Sequence, residues 1–145
     1  MVPAEVTREL VAGIPEHPAL ARTVSLRWLE IVELIEIDEV VAFARYKAEF
    51  GGGRDRNNGE AAVLAYASAH SGVAVVDERV ATRAAKRDGL EVHGTLWLIA
   101  NGVRSGALTR GTAEQMVDNL VATGMKLPVD GATFFTWANA EGLLP

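Results

Sequence analysis

Apolar residues recur along the chain in two rhythms, one of three to four residues and one of two, with glycine and proline marking the breaks. Near the start Val2, Val6 and Leu10 fall on one stripe four residues apart, the repeat of a helix face. Pro3 suits a first turn and Gly13 suits a stop, so a helix is predicted over Met1–Ala12. Glu5 and Glu9 border its stripe. Residues 16–25, with Pro15 and Pro18, read as a connector. From Trp28 to Ile37, Ile31, Glu33, Ile35 and Ile37 alternate with Val32, Leu34 and Glu36, which predicts a strand. Asp38 is placed to cap the next helix, along which lie Val40, Val41, Phe43 and Ala44. Phe50–Asn57, with three consecutive glycines, reads as a mobile surface loop. It lies directly before Glu60, where a lid would sit.

The second half alternates more regularly. Asn57 or Asn58 can cap a helix over Glu60–His70 with Val63, Leu64 and Ala67 inward. Val73–Val76 is short and wholly apolar, as a strand covered on both faces would be. A helix over Glu78–Arg87 carries Arg79, Arg83 and Lys86 on one face, with Arg87 beside them. Glu91–Leu96 reads as the next strand, and Trp97–Ser105 as a helix with Leu98, Ile99 and Val103 inward. Thr112 opens a further helix, ended by Gly124; Met116 and Met125 read as core filler. A last helix is predicted over Gly131–Glu141, with Phe134, Phe135 and Trp137 mostly in the core.

Helix–strand–helix–strand alternation predicts an α/β fold with a parallel sheet. At 145 residues one domain is expected over residues 1–145. A chain of this size buries about 70% of its unfolded surface. There is no cysteine, which excludes disulfides and thiolate metal sites and fits a cytoplasmic setting. The start Met1-Val2-Pro3-Ala4-Glu5 lacks the basic and apolar regions of a signal peptide, and no run is long and apolar enough for a membrane span. Net charge is −5, which argues against wrapping nucleic acid on a generally basic surface. It leaves room for an acidic metal centre, where a bound cation reverses the local sign.

In a parallel sheet the strand C-termini and the N-termini of the connecting helices share one edge, and ligands collect there. Glu60, opening a helix, and Asp77, ending a strand, can therefore face one cleft. Two carboxylates about 4 Å apart repel by about 4 kcal/mol at an effective dielectric near 20. A proton, an arginine or a divalent cation relieves that repulsion. Oxygen ligands without cysteine, and with His17, His70 and His93 at no zinc spacing, point to a hard ion, Mg²⁺ or Mn²⁺.

Three blocks of the chain also resemble a known family. Asn58-Gly59-Glu60-Ala61-Ala62, Val76-Asp77-Glu78-Arg79 with Arg83, and Gly94-Thr95-Leu96 are similar, in order and spacing, to the signature blocks of PIN-domain nucleases. Many of these are the ribonuclease toxins of bacterial toxin–antitoxin pairs. Val2-Pro3-Ala4-Glu5-Val6, with Glu9-Leu10, resembles the segment that carries the family's second acid, here Glu9. The resemblance implies a three-layer PIN-like fold, with residues 1–128 as the family-like core and 129–145 as a C-terminal helix. It implies Glu9, Glu60, Asp77 and Thr95 as catalytic residues, with Glu9, Glu60 and Asp77 around Mg²⁺ or Mn²⁺. Arg79, Arg83 and Lys86 are expected on RNA phosphates, with Arg83 also a candidate to pair with a site acid. The family's first strand, which ends in an Asp, has no counterpart ahead of Val2.

The leading expectation is a cytoplasmic metal-dependent ribonuclease with RNA as substrate, a cognate antitoxin as partner and a homodimeric state, without membrane association. A second reading is a catalytically impaired PIN-like interaction protein that works through dimerisation or partner binding. A third is an unrelated flavodoxin-like module, which leaves the three blocks unexplained.

Overall fold

The computed structural model describes residues 1–51, 53 and 56–145. Gly52, Arg54 and Asp55 lie outside the described residues, so the expected lid loop is described only in part. The chain forms two compact units, Met1–His93 and Gly94–Pro145.

The first unit runs β1 (Val2–Pro3), α1 (Ala4–Gly13), α2 (Leu20–Val24), β2 (Ile31–Val32), α3 (Ile37–Phe50), α4 (Asn58–His70), β3 (Ala74–Val75), α5 (Arg79–Arg87) and β4 (Val92–His93). Val2 and Pro3 pair in parallel with Ile31 and Val32, and Ala74 and Val75 pair in parallel with Val92 and His93. Parallel pairing is as predicted, but the ladder consists of two separate pairs. Met1–Pro3 is not helical: Val2 donates to the Glu30 carbonyl at 2.7 Å, and Pro3 stands as a helix cap rather than inside the first turn. The strand expected over Trp28–Ile37 contracts to Ile31–Val32. Glu36, not Asp38, caps α3, in a reciprocal capping box with Glu39.

Alanine dominates this unit's core. Ala61, Leu64 and Ala65 of α4 meet Ala81, Ala84 and Ala85 of α5, and Tyr46 of α3 is fully buried among them. Val73 and Val75 are 47% and 38% exposed, so β3 is not the doubly covered strand its sequence suggests. Ala74 and Val76 donate to the carbonyls of Glu91 and His93, each at 2.9 Å. The intervening Val75 therefore turns its N–H and C=O to the opposite edge. An apolar groove of about 360 Å³ lies along that edge, lined by Val2 and Pro3 of β1, Val75 of β3, and Val6, Val63 and Tyr66 of α1 and α4.

The second unit consists of α6 (Thr95–Arg104), α7 (Arg110–Ala122) and α8 (Gly131–Ala140). Thr109 rather than Thr112 caps α7, accepting the Thr112 amide at 3.2 Å. Asp130 caps α8 with Thr133 in a capping box. Leu96, Ile99, Val117 and Phe134 form the core, and Phe135 and Trp137 pack against it. Met116 is 40% exposed and lines a shallow apolar cavity with Leu98, Leu108 and Leu120, so it does not fill the core.

Candidate active site

The N-terminus of α4 gathers the first of the expected acids. Gly59 is the second residue of α4, so its N–H is one of the opening amides that have no partner within the helix. Glu9 of α1 meets that need: its Oε1 accepts the Gly59 N–H at 2.9 Å, and the helix dipole favours a carboxylate there. A Cβ on Gly59 would stand 2.8 Å from Glu9 Oε2 and 3.3 Å from Val6 Cγ2. The missing side chain is what lets α1 close on α4. The cap residue Asn57 is left-handed, with φ 60 and ψ 23, and makes no side-chain capping bond. Glu60 follows directly and is half-buried. Among the described residues it makes no hydrogen bond or ion pair.

Asp77 lies two residues past the end of β3 and two before the start of α5. The chain leaves α4 at His70, turns through Ser71 and Gly72, where Gly72 donates to the Ala67 carbonyl at 2.9 Å, and enters β3. Asp77 is exposed. Glu78 next to it caps α5, its carboxylate accepting the Val80 amide at 3.3 Å. Thr95 is the first residue of α6 in the second unit. Among the described residues, no three His, Asp or Glu side chains stand close enough together to hold a metal ion.

The basic residues divide into two kinds. Arg87, beside the expected phosphate-facing cations in sequence, is held in a network. It donates to Glu49 at 2.6 Å and to Asp88 at 2.9 Å. Arg45 reaches Asp88 at 2.9 Å, and the Tyr46 hydroxyl donates to Asp88 at 2.9 Å. The hydrogen bond from Arg87, followed by that from Tyr46, holds the Asp88 carboxyl below its usual range. Burial, with the Asp88 bond, pushes the Tyr46 hydroxyl up to about 12. Arg79, Arg83 and Lys86 are exposed and pair with no acid among the described residues, so Arg83 makes no ion pair with a site acid.

Two polar residues that carry much of the fold escape a reading of the sequence. Glu39 is buried, at 2% exposure. Its Oε2 accepts the Ile35 and Glu36 amides at 2.8 and 2.9 Å, and its Oε1 meets His70 Nε2 at 2.7 Å. The His70 bond is the largest cause of its lowered pKa, followed by the Glu36 backbone bond. The signal was present as Glu36-x-x-Glu39, a capping-box spacing. Asp88 had no such signal, because Arg45 and Tyr46, which meet it together with the neighbouring Arg87, come from α3.

The family model DUF3368, described as a PIN domain, matches residues 1–132. The chain belongs to this PIN-domain family. The family is one of nuclease-type fold, and the helices with parallel strand pairs fit its α/β class. The match decides against a flavodoxin-like module. No curated protein and no solved structure matches the chain. Among the described residues no helix is long and apolar enough to cross a membrane.

Proposed function

We propose that this PIN domain hydrolyses RNA phosphodiester bonds with a divalent metal, Mg²⁺ or Mn²⁺, and acts in the cytoplasm as the toxin of a toxin–antitoxin pair. The observation that carries the reading is Glu9 docked on the Gly59 amide, which brings a second carboxylate beside Glu60 in a family of nuclease-type fold. The donor set suits a hard cation: it is carboxylate oxygen only, Glu60 has no partner among the described residues, and Glu9 Oε2 remains beyond the capping bond. Glu9, Glu60 and Asp77 form no closed three-acid cluster among the described residues, so they would hold the ion in part through its own waters; when bound it would supply an activated water and charge neutralisation at phosphorus. The chain's own part is to fix the carboxylates and to steer the RNA by its cations. We further propose a three-layer arrangement in which one more parallel strand fills the groove between β1 and β3 and adds a fourth acid. A cognate antitoxin would cover the cleft, and the working form would be a homodimer.

The second reading, a PIN-like interaction protein without catalysis, draws support from the absence of a three-acid metal cluster among the described residues. Thermal denaturation with and without Mn²⁺, together with cleavage of a labelled RNA, separates the two. The nuclease reading expects stabilisation by Mn²⁺ that is lost in Asp77→Ala, and cleavage lost in Glu60→Ala with the fold retained. Wild-type protein that neither gains stability with Mn²⁺ nor cleaves RNA would leave the interaction protein.

A further inference from the structure

α5 presents two opposite faces. Ala81, Ala84 and Ala85 are buried against the rest of the first unit. The other face carries Arg79, Arg83 and Lys86, all exposed. At 100° per residue these three positions fall within an arc of about 60°, and at 1.5 Å rise per residue they span about 10 Å. Among the other arginines of this unit, Arg22, Arg27 and Arg56 also pair with no described acid, while three are held in ion pairs. Arg8 is held by Glu5 and Glu33, Arg45 by Asp88, and Arg87 by Glu49 and Asp88. The acids nearest the α5 face in sequence are Asp77, Glu78 and Asp88. Glu78 is turned back onto the Val80 amide and Asp88 is bound by Tyr46, Arg45 and Arg87. An acidic chain thus keeps a row of three cations, without an ion pair among the described residues, beginning two residues after Asp77.

We propose that this face of α5 is a track for the phosphates of one strand of RNA, leading away from the acid-bearing end of the unit. The proposal rests on the nuclease reading for its choice of RNA. Three in-line point charges over this span match two or three consecutive phosphates of a single strand. Such contacts fix the position of the strand without reading its bases.

The test uses the whole chain in EDTA, so that no cleavage occurs, and a fluorescein-labelled twelve-residue oligouridylate. Anisotropy gives Kd across a series of salt concentrations. Each neutralised phosphate contributes about 0.7 to the slope of log Kd against log salt for single strands. The triple variant Arg79→Gln/Arg83→Gln/Lys86→Gln is therefore expected to lose about 2 from that slope and to bind at least tenfold more weakly. An equal charge loss elsewhere, Arg22→Gln/Arg27→Gln/Lys126→Gln, should leave the slope unchanged. If the triple variant fails to fold, Lys86→Gln alone should lower the slope by about 0.7. An unchanged slope, or no binding by the wild type, overturns the proposal. So does equal competition by a polyglutamate of matched charge, which would make the face a site for an acidic protein segment. Hydrolysis of bis(4-nitrophenyl) phosphate by the wild type with Mn²⁺ needs no track. RNA binding without that hydrolysis would sink the nuclease reading and leave the track standing.

Discussion

Glu9 and Gly59 lie fifty positions apart and meet at 2.9 Å, carboxylate oxygen on backbone amide. The contact gives Glu9 two separable duties, capping α4 and offering charge beside Glu60. Glu9→Gln keeps an acceptor for the Gly59 amide and removes the charge. Its melting temperature should stay near wild type while RNA cleavage and stabilisation by Mn²⁺ fall. Retention of both would reduce Glu9 to a helix cap.

Gly59→Ala tests the same contact from the other side. The added Cβ would meet Glu9 Oε2 at 2.8 Å, and an exposed glutamate can swing away. Alanine gains about 1 kcal/mol of helix propensity over glycine, and loss of the Glu9 bond costs about as much. Stability should therefore change by no more than about 1 kcal/mol, while activity drops as in Glu9→Gln. A full-activity Gly59→Ala protein would show that the position of Glu9 does not matter to the chemistry.

Much of this end of the molecule is legible in the sequence, and the reasons are local. Helix starts announce themselves by spacing, so α4, α5 and α8 fall within a residue or two of their expected bounds. Glu60 falls in the first turn of α4 and Asp77 between β3 and α5, as the apolar runs on either side of them predict. The strand expected over Trp28–Ile37 was not readable in its true length. Alternation there looked like a covered strand, yet Ile35 and Ile37 are 78% and 80% exposed, and Ile37 already belongs to α3. The bonds of Asp88 to Arg45 and Tyr46 and of Glu39 to His70 are set by tertiary packing, which one-dimensional spacing does not record. The role of Gly59 was hidden for a related reason: an absent side chain gives no pattern.

Tyr46 links the fold to alkaline pH. Its hydroxyl titrates at about 12 rather than 10.0, mainly from burial and then from the Asp88 bond. The folded state thus holds this proton more tightly than the unfolded one. Its contribution is complete below the unfolded value and is lost as pH rises from 10 toward 12. Tyr46→Phe should be less stable at neutral pH by about 1–3 kcal/mol and should show a flatter decline over that alkaline window. Parallel urea midpoints against pH for both proteins give the answer.

At the acid side the sign reverses. The Asp88 carboxyl is depressed by Arg87 and Tyr46, and the Glu39 carboxyl by His70 and the Glu36 amide. Their contributions are full above the ordinary values of 3.8 and 4.5 and are lost as pH falls through the depressed ones. Asp88→Asn should already be weakened at neutral pH and should lose less on acidification than the wild type. Identical acid limbs would remove Asp88 from the account.

Gly131 marks a tight approach in the second unit. A Cβ there would press on the Glu114 carbonyl and stand 2.7 Å from Asp118 Oδ2, the residue whose Oδ1 accepts the Gly131 amide at 2.7 Å. Gly131→Ala should cost about 1–3 kcal/mol, because backbone rather than a flexible side chain must give way. Thermal melts that match the wild type would show that α8 can shift freely.

The edge of β3 offers a different kind of measurement. Val75 turns outward an N–H and C=O that pair with no strand among the described residues, beside an apolar groove, the setting in which strands recruit other strands. Val75→Lys should reduce concentration-dependent self-association in light scattering, leaving the melting temperature nearly unchanged.

The alanine seam between α4 and α5 has a bearing on how this protein can change over generations. Positions 61, 65, 81, 84 and 85 are all alanine and all essentially solvent-free. An alanine has no torsion to adjust, so a larger newcomer can be admitted only by prising two helices apart. One of those helices carries Glu60 in its first turn and the other begins two residues after Asp77. A saturation library at these five sites should return glycine, alanine and serine and little else, so that diversification of this domain is pushed outward to its loops and solvent-facing turns.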